Sequence, residues 1–157
     1  MKRESEIAEK LRGFLKENVL EVKIPRDRRI FVRVKNTALK DAVKHLVNDL
    51  GFKHLSTITG IDVAEEIEVI YHLAHKGSIE LSLRVTVPKE KPIVPTVTDV
   101  IPGAVLYERE VHDLLGVEFK GHPDLSPLVL PEEWPNDTYP LRKEHSLEGL
   151  KELTSEK

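Results

Sequence analysis

Ile67-Glu68-Val69-Ile70-Tyr71-His72-Leu73 and Ile79-Glu80-Leu81-Ser82-Leu83-Arg84-Val85-Thr86-Val87 are the two runs whose reading decides the fold. In the second, Ile79, Leu81, Leu83, Val85 and Val87 alternate strictly with Glu80, Ser82, Arg84 and Thr86. That is the period of a strand with one face buried. In the first, Ile67, Val69, Tyr71 and Leu73 make the matching face. Lys76-Gly77-Ser78 supplies a turn between them, so the pair reads as a β-hairpin.

Toward the N-terminus, Phe52 to Thr59 reads as another strand, ending at Gly60. Before it, Leu39, Ala42, Val43, Leu46, Val47 and Leu50 recur at helical spacing, with Asn36 or Thr37 as cap and Gly51 as stop. Ile30, Val32 and Val34 alternate with Phe31, Arg33 and Lys35 as a strand, and Pro25 breaks the chain ahead of it. Ser5 is placed to cap a first helix that carries Glu6 in its first turn and Ile7, Leu11, Phe14 and Leu15 along one face. The order helix, strand, helix, strands predicts an α+β fold, with helices packed on one face of a mixed, mostly antiparallel sheet.

Toward the C-terminus, Pro88, Pro92 and Pro95 end the sheet and force extended chain. Thr96-Val97-Thr98-Asp99 reads as a short capped helical turn, and Pro102 as the first residue of a helix running to about Leu115. Beyond Gly116, Pro123, Pro127, Pro131, Pro135 and Pro140 predict an extended Pro-rich tail that supplies few sheet hydrogen bonds. Leu128, Val129, Leu130 and Trp134 suit that tail to lying on another surface. The expected organisation is an α/β domain over residues 1–125 and an extended, partner-contacting tail over 126–157.

At 157 residues and 39% hydrophobic content the chain suits one core. It has no run of about 18 apolar residues, and its charged start lacks an apolar signal region. Membrane association is therefore expected only through partners. With no cysteine, disulfides, thiolate zinc sites, cysteine-held iron–sulfur clusters and cysteine nucleophiles are excluded for this chain. Residues 1–100 hold 18 basic and 15 acidic side chains, whereas residues 101–150 hold 4 and 10. The acidic C-terminal third argues against nucleic acid and suits either a basic partner surface or a solvated face. Glutamine is absent, asparagines number four and charged residues make up 32%, a balance that suggests a thermophile source.

Charged chemistry concentrates in Glu108-Arg109-Glu110-Val111-His112-Asp113-Leu114-Leu115-Gly116 and in Gly121-His122-Pro123-Asp124-Leu125. On a helix, Arg109 can pair with Asp113, and Glu108 with a charged His112. Exposed pairs of this kind are worth only about 0.3–0.5 kcal/mol. The cluster is accordingly read as holding the Pro-rich tail or a partner subunit, beside the plainer reading of a solvated helix face. His72 and His75 should point to opposite faces of their strand. His112 and His122, with Asp113 and Asp124 nearby, are the remaining candidate metal ligands, without any HExxH spacing. Glu108 and Glu110 diverge by about 200° on a helix, which does not suit paired acid–base work. No glycine-rich phosphate loop and no Gly-x-Ser-x-Gly elbow occurs. The rivals are a stand-alone metal-dependent enzyme using His112 and His122, and a free-standing adaptor domain.

Three blocks, Glu108 to Gly116, Gly121-His122-Pro123-Asp124-Leu125 continuing to Leu130-Pro131-Glu132-Glu133-Trp134, and Pro140-Leu141-Arg142-Lys143, resemble in order and spacing the 30 kDa subunit family of respiratory complex I. That family also supplies a subunit to membrane-bound energy-converting nickel–iron hydrogenases. The resemblance is strong over residues 96–145 and rests on element order before them. It implies a non-catalytic peripheral-arm subunit of a membrane-bound, ion-translocating electron-transfer complex, with no cofactor of its own. The implied partners are the large catalytic subunit, of nickel–iron hydrogenase or quinone-site type, an iron–sulfur subunit and antiporter-like membrane subunits. The implied location is the cytoplasmic side of the membrane, peripheral and held by the complex. Glu108, Arg109, Glu110, Asp113, His122 and Asp124 would shape the end of the domain, while Pro140, Leu141, Arg142 and Lys143 would sit in the tail against neighbouring subunits. Two departures stand out. Ser126 and Pro127 occupy places where arginine is usual, and the chain ends soon after Lys143, so a longer partner-binding tail is expected to be missing. The thermophile-like composition favours a hydrogenase-type or ferredoxin-linked complex, with a quinone-reducing complex I relative as the alternative.

Overall fold

The structure, a computed structural model, describes residues 2–76 and 78–155. Gly77 of the expected hairpin turn lies outside the described residues. In chain order the elements are α1 (Lys2–Leu15), β1 (Val19–Arg26), β2 (Arg29–Val34), α2 (Leu39–Asn48), β3 (His54–Asp62), β4 (Glu66–His75) and β5 (Ile79–Pro88). They continue with β6 (Ile93–Pro95), α3 (Ala104–Leu115), β7 (Glu118–Lys120) and α4 (Leu147–Ser155). Five strands form one sheet in the order β1-β2-β5-β4-β3. All its neighbours are antiparallel except β2 and β5, which run parallel. The β4–β5 pairing, from Glu66 opposite Pro88 to His75 opposite Ile79, is the hairpin that the alternating pattern requires.

The alternation sorts the faces. Ile67, Val69, Tyr71, Leu73, Leu81, Leu83 and Val85 are buried in one core with the apolar faces of α1, α2 and α3. The intervening residues form the open face, where Arg33 and Arg84 both reach Glu68 Oε1, at 3.1 and 3.2 Å. An antiparallel sheet tolerates this half-solvated arrangement. His72 bonds Ser82 and Thr59 on the open face, while the His75 ring packs edge-on to Phe52, so these two histidines do part.

Several local expectations are corrected. Pro25 does not break the chain but sits inside β1, an edge strand, where a missing N–H is harmless. Ser5 lies inside α1, which already runs from Lys2. Phe14 leaves the core line and stacks on the His45 ring at 4.1 Å. Neither Asn36 nor Thr37 caps α2. A short 3-10 turn over Asn36–Ala38 comes first, and Asn36 Nδ2 donates to the Ile93 carbonyl instead. Strand β3 runs through Gly60 to Asp62. The prolines end the five-stranded sheet, yet Ile93–Pro95 pairs with β7 as a small parallel sheet. Pro102 precedes α3 in a turn rather than opening it. Residues 121–146 are turns and irregular chain, and they lead into α4, where the sequence pattern predicts extended chain.

Gly60 explains how α3 reaches the sheet. A Cβ there would collide with Leu115 Cδ1 and lie 3.1 Å from Val111 Cγ1, and both side chains are buried. The bare backbone of β3 is therefore the seat of α3. Gly60→Val is expected to destabilise the fold by about 1–3 kcal/mol through overpacking. Urea unfolding should show a lower midpoint at unchanged slope, and an unshifted midpoint would mean that α3 does not sit on this strand.

Candidate functional site

The charged block lies on α3 and divides between the inside and the outside of the molecule. Glu108 faces inward and is fully buried. It accepts hydrogen bonds from the Thr96 hydroxyl at 2.6 Å and the Val97 N–H at 2.9 Å. Burial pushes its carboxyl up, against the pull of those donors and of His122, whose Nε2 is 3.9 Å away. His122 also has Nε2 3.0 Å from the Val105 carbonyl, and its Nδ1 accepts the Asp124 N–H at 3.0 Å. These bonds assign the ring proton to Nε2. Asp124 in turn accepts the Ser126 N–H at 2.9 Å, an Asx-type turn that holds its carboxyl below the usual range. Glu110 is exposed on the outer face of α3.

Arg109 and Asp113 turn to the chain that follows rather than to each other. Arg109 donates from Nε to the Ser126 carbonyl at 3.1 Å and from Nη2 to the Pro127 carbonyl at 3.0 Å. The side chain at 126 contributes only a hydroxyl to this contact. Asp113 is 6% exposed, and its Oδ2 accepts the N–H groups of Leu128 and Val129, each at 2.8 Å, and of Leu130 at 3.4 Å. Successive amides on one oxygen make a backbone nest for the carboxylate. The side chains of Leu128 and Val129 are thereby turned outward, 42% and 54% exposed.

The end of α3 is a second anchor. Gly116 caps the helix at φ +76°, and its N–H bonds the His112 carbonyl. A Cβ at this position would stand 2.5 Å from the Tyr139 ring. Glycine is thus required twice, for the left-handed cap and for the ring. Arg142 stacks over the same ring at 4.7 Å and donates to the Leu115 carbonyl at 2.8 Å. The Leu141 N–H bonds the Leu114 carbonyl, leaving the Leu141 side chain 57% exposed, and Pro140 beside it is half-buried. Between the end of α3 and the tail lies a groove of about 380 Å³ lined by His112, Asp113, Leu130, Trp134 and Tyr139, among others.

A third anchor carries no signal in the sequence. Asp62, at the end of β3, binds the Lys89 ammonium at 2.6 Å and the Lys143 N–H at 2.8 Å through Oδ2, and the Ala64 N–H through Oδ1. Lys89 also pairs with Glu144 at 2.7 Å. Burial works against the Asp62 charge. The Lys89 ammonium and the two amides outweigh it and hold the carboxyl below its ordinary value. Lys143 itself contributes its main chain, and its side chain is not what ties it.

The two histidines of the metal hypothesis are separately engaged. His112 Nδ1 is 2.8 Å from the Val117 carbonyl, and His122 is held as described. Among the described residues no three His, Asp or Glu side chains are grouped to hold a metal ion. Nor, among them, is any helix long and apolar enough to cross a membrane. What the arrangement does is pin residues 126–130 along α3, residues 141 and 142 at its end and residues 143 and 144 at Asp62 and Lys89, and present apolar side chains outward.

The family described as respiratory-chain NADH dehydrogenase, 30 Kd subunit, matches residues 32–151. The chain is 35% identical to a subunit of the F(420)H(2) dehydrogenase of Methanosarcina mazei, covering 95% of this chain and 94% of that one. It is 33% identical to a subunit of the NADH-quinone oxidoreductase of a Roseiflexus species, covering 94% and 86%. Among solved structures, a chain of the membrane-bound sulfane sulfur reductase, an archaeal respiratory membrane complex, superposes with a TM-score of 0.80 at 28% identity, covering 96% of this chain and 90% of that one.

Two outcomes follow from the anchors. Asp113→Ala leaves the Leu128 and Val129 amides without their acceptor and should cost about 1–3 kcal/mol, with faster hydrogen exchange confined to residues 126–131. Uniform exchange across the chain would contradict a local anchor. Asp62 has a folded-state pKa below the unfolded one, so its stabilisation is present above the unfolded value near 3.8 and is lost as pH falls through the folded value. Asp62→Asn should therefore melt lower than the parent at about pH 7, and the gap should narrow toward about pH 3. A gap that widens in acid would refute the assignment.

Proposed function

This chain belongs to the respiratory-chain NADH dehydrogenase 30 kDa subunit family, and we propose that it is a non-catalytic, peripheral-arm subunit of a membrane-bound, ion-translocating electron-transfer complex. Its role in this reading is to pack against the large catalytic subunit and to position it beside the iron–sulfur subunit. Antiporter-like membrane subunits hold the assembly at the cytoplasmic face of the membrane. The thermophile-like composition favours a hydrogenase-type or related ferredoxin-linked complex, and the likeness to a subunit of NADH-quinone oxidoreductase keeps a quinone-reducing complex I relative as the alternative.

The observation that carries the proposal is the pinned tail. Leu128, Val129 and Leu141 are held outward by main-chain bonds to Asp113 and the end of α3. Fixing large apolar groups in solvent gains nothing for an isolated domain, whereas a rigid apolar patch with a polar rim is what a partner buries. Glu108 and Asp113 act from inside, holding the surface in shape. Arg109, Glu110, Asp124, Arg142 and Lys143 form its charged rim and Pro140 stands beside Leu141, with His122 locking the loop beneath Asp124.

The test is gentle detergent extraction of native membranes through a tag on this chain, with co-purifying subunits identified. A large hydrogenase-like or quinone-site subunit and an iron–sulfur subunit are the expected companions. In the same assay Arg109→Ala should reduce recovery of the large subunit about tenfold, a loss of about 1.4 kcal/mol. The melting temperature of the isolated chain should shift by only a few degrees, because a half-exposed arginine contributes about 1 kcal/mol to folding. Recovery of the chain alone in the soluble fraction would refute the proposal.

A further inference from the structure

The open face of the sheet carries a cup of about 90 Å³, away from the tail and its anchors. Its walls come from two rows of the sheet. Lys23, Phe31 and Ser82 lie opposite one another on β1, β2 and β5, and Glu21, Arg33 and Arg84 do so two residues along. The second row sets two guanidinium groups side by side on neighbouring strands, where like charges repel. Glu68, on β4, meets both through a single oxygen. Arg33 Nη2 donates to Oε1 at 3.1 Å, and Arg84 Nε lies 3.2 Å from the same atom. Arg33 Nε is buried and has no hydrogen-bond partner among the described residues. Leaving a buried donor unpaired costs more than a made hydrogen bond returns, so holding this guanidinium in place gains nothing for the isolated domain. Glu21 is tied at 2.9 Å to Lys23, which is mostly exposed. Three cations thus stand around the cup against two carboxylates.

We propose that this cup is a binding site for one carboxylate, held by Arg33, Arg84 and Lys23. Charge, size and lining choose the ligand class. One positive charge is left unbalanced, which matches the single charge of a carboxylate, whereas a phosphate group near pH 7 carries about −1.5 to −2. Each guanidinium has five N–H groups in a planar fork suited to a carboxylate, and each uses one nitrogen on Glu68. The volume is about three times the about 30 Å³ of a water molecule, room for a carboxylate and far too little for a nucleotide. Phe31, 42% exposed, supplies an apolar wall for the carbon that a carboxylate carries. Lys23 first, and then both arginines, hold the Glu21 carboxyl below its ordinary range, and the same field acts on an anion entering the cup. The carboxylate comes either from a small free acid or from an acidic side chain of another chain, and the chemistry of the site is the same for both.

Sodium acetate is the probe, exchanged for sodium chloride at constant ionic strength and about pH 7. In the isolated full chain the amide resonances of Phe31, Arg33 and Arg84 should shift along a saturable curve. The dissociation constant should be about 10 mM, the strength of one or two charge-assisted hydrogen bonds. Arg84→Gln leaves Glu68 with Arg33, so the chain should fold as before, and acetate should bind at least about tenfold more weakly. Lys23→Gln, at an exposed position, should weaken it about threefold. Shifts that do not saturate, or that both variants leave unchanged, overturn the proposal. Inorganic phosphate that binds more tightly than acetate overturns the choice of a carboxylate. The titration needs no partner, so its outcome is independent of the docking role of the tail. Carbodiimide coupling in the detergent-extracted complex separates the sources, because it joins an amine to a carboxylate in contact with it. Lys23 joined to an Asp or Glu of another chain supports the site with an acidic side chain as its ligand, and the chain so joined is either a different subunit or a second copy. Lys23 joined only within its own chain, beside saturable acetate binding, supports the site with a free acid as its ligand.

Discussion

A carboxylate taken out of water must be met by donors, and α3 buries two of them, Glu108 and Asp113, within two turns of helix. An unpaired buried charge costs several kcal/mol, more than any surface contact can return. The chain supplies the donors from either side of the helix. Thr96 and Val97 come from the segment that enters α3, and the amides of residues 128–130 come from the segment that leaves it. The course of the C-terminal third follows from this requirement. Without Asp113 the tail has no reason to turn at residue 128, and without Glu108 the loop beginning at residue 96 has no reason to close against the helix.

The same requirement explains why so charged a helix is not a solvated one. Its apolar side meets Gly60 of β3 and anchors it to the sheet. Several of the remaining charges around it serve main-chain groups. Arg109 and Arg142 reach carbonyls of the tail and of the helix end, and Asp62 reaches the Lys143 amide across 81 residues of sequence. Charged side chains bonded to peptide groups fix the course of a chain irrespective of the residues along it. That fits the positions of Ser126 and Pro127, where main-chain carbonyls make most of the contact with Arg109.

Strict alternation in Ile79–Val87 and the matching face of Ile67–Leu73 made the central hairpin and the buried face readable from the sequence, because the period of a strand is local. The mixed order of the sheet, with β2 parallel to β5, was not readable, since strand neighbours are chosen by packing over long separations. Pro25 and Pro95 read as breaks because proline excludes a strand only where its N–H is needed, and edge positions do not need it. The charged block on α3 stood out in the sequence and was read as holding either the tail or a partner subunit, and Arg109 and Asp113 do bond the main chain of residues 126–130. The Asp62–Lys89–Glu144 anchor was invisible, having neither spacing nor motif. Helix α4 did have a signal in Ser146 as cap and leucines three apart, but the run of prolines that ends at Pro140 pointed to extended chain.

If the tail pinned to α3 is a surface for the large catalytic subunit, that subunit must lie on it in the assembled complex. A structure of the complex extracted from native membranes through a tag on this chain tests this most directly. The large subunit is predicted to sit over Leu128, Val129 and Leu141, with the Asp113 and Arg109 bonds intact beneath it. A complex in which that surface faces solvent, and the large subunit instead covers the open face of the sheet around Phe31, Arg33 and Arg84, would contradict it.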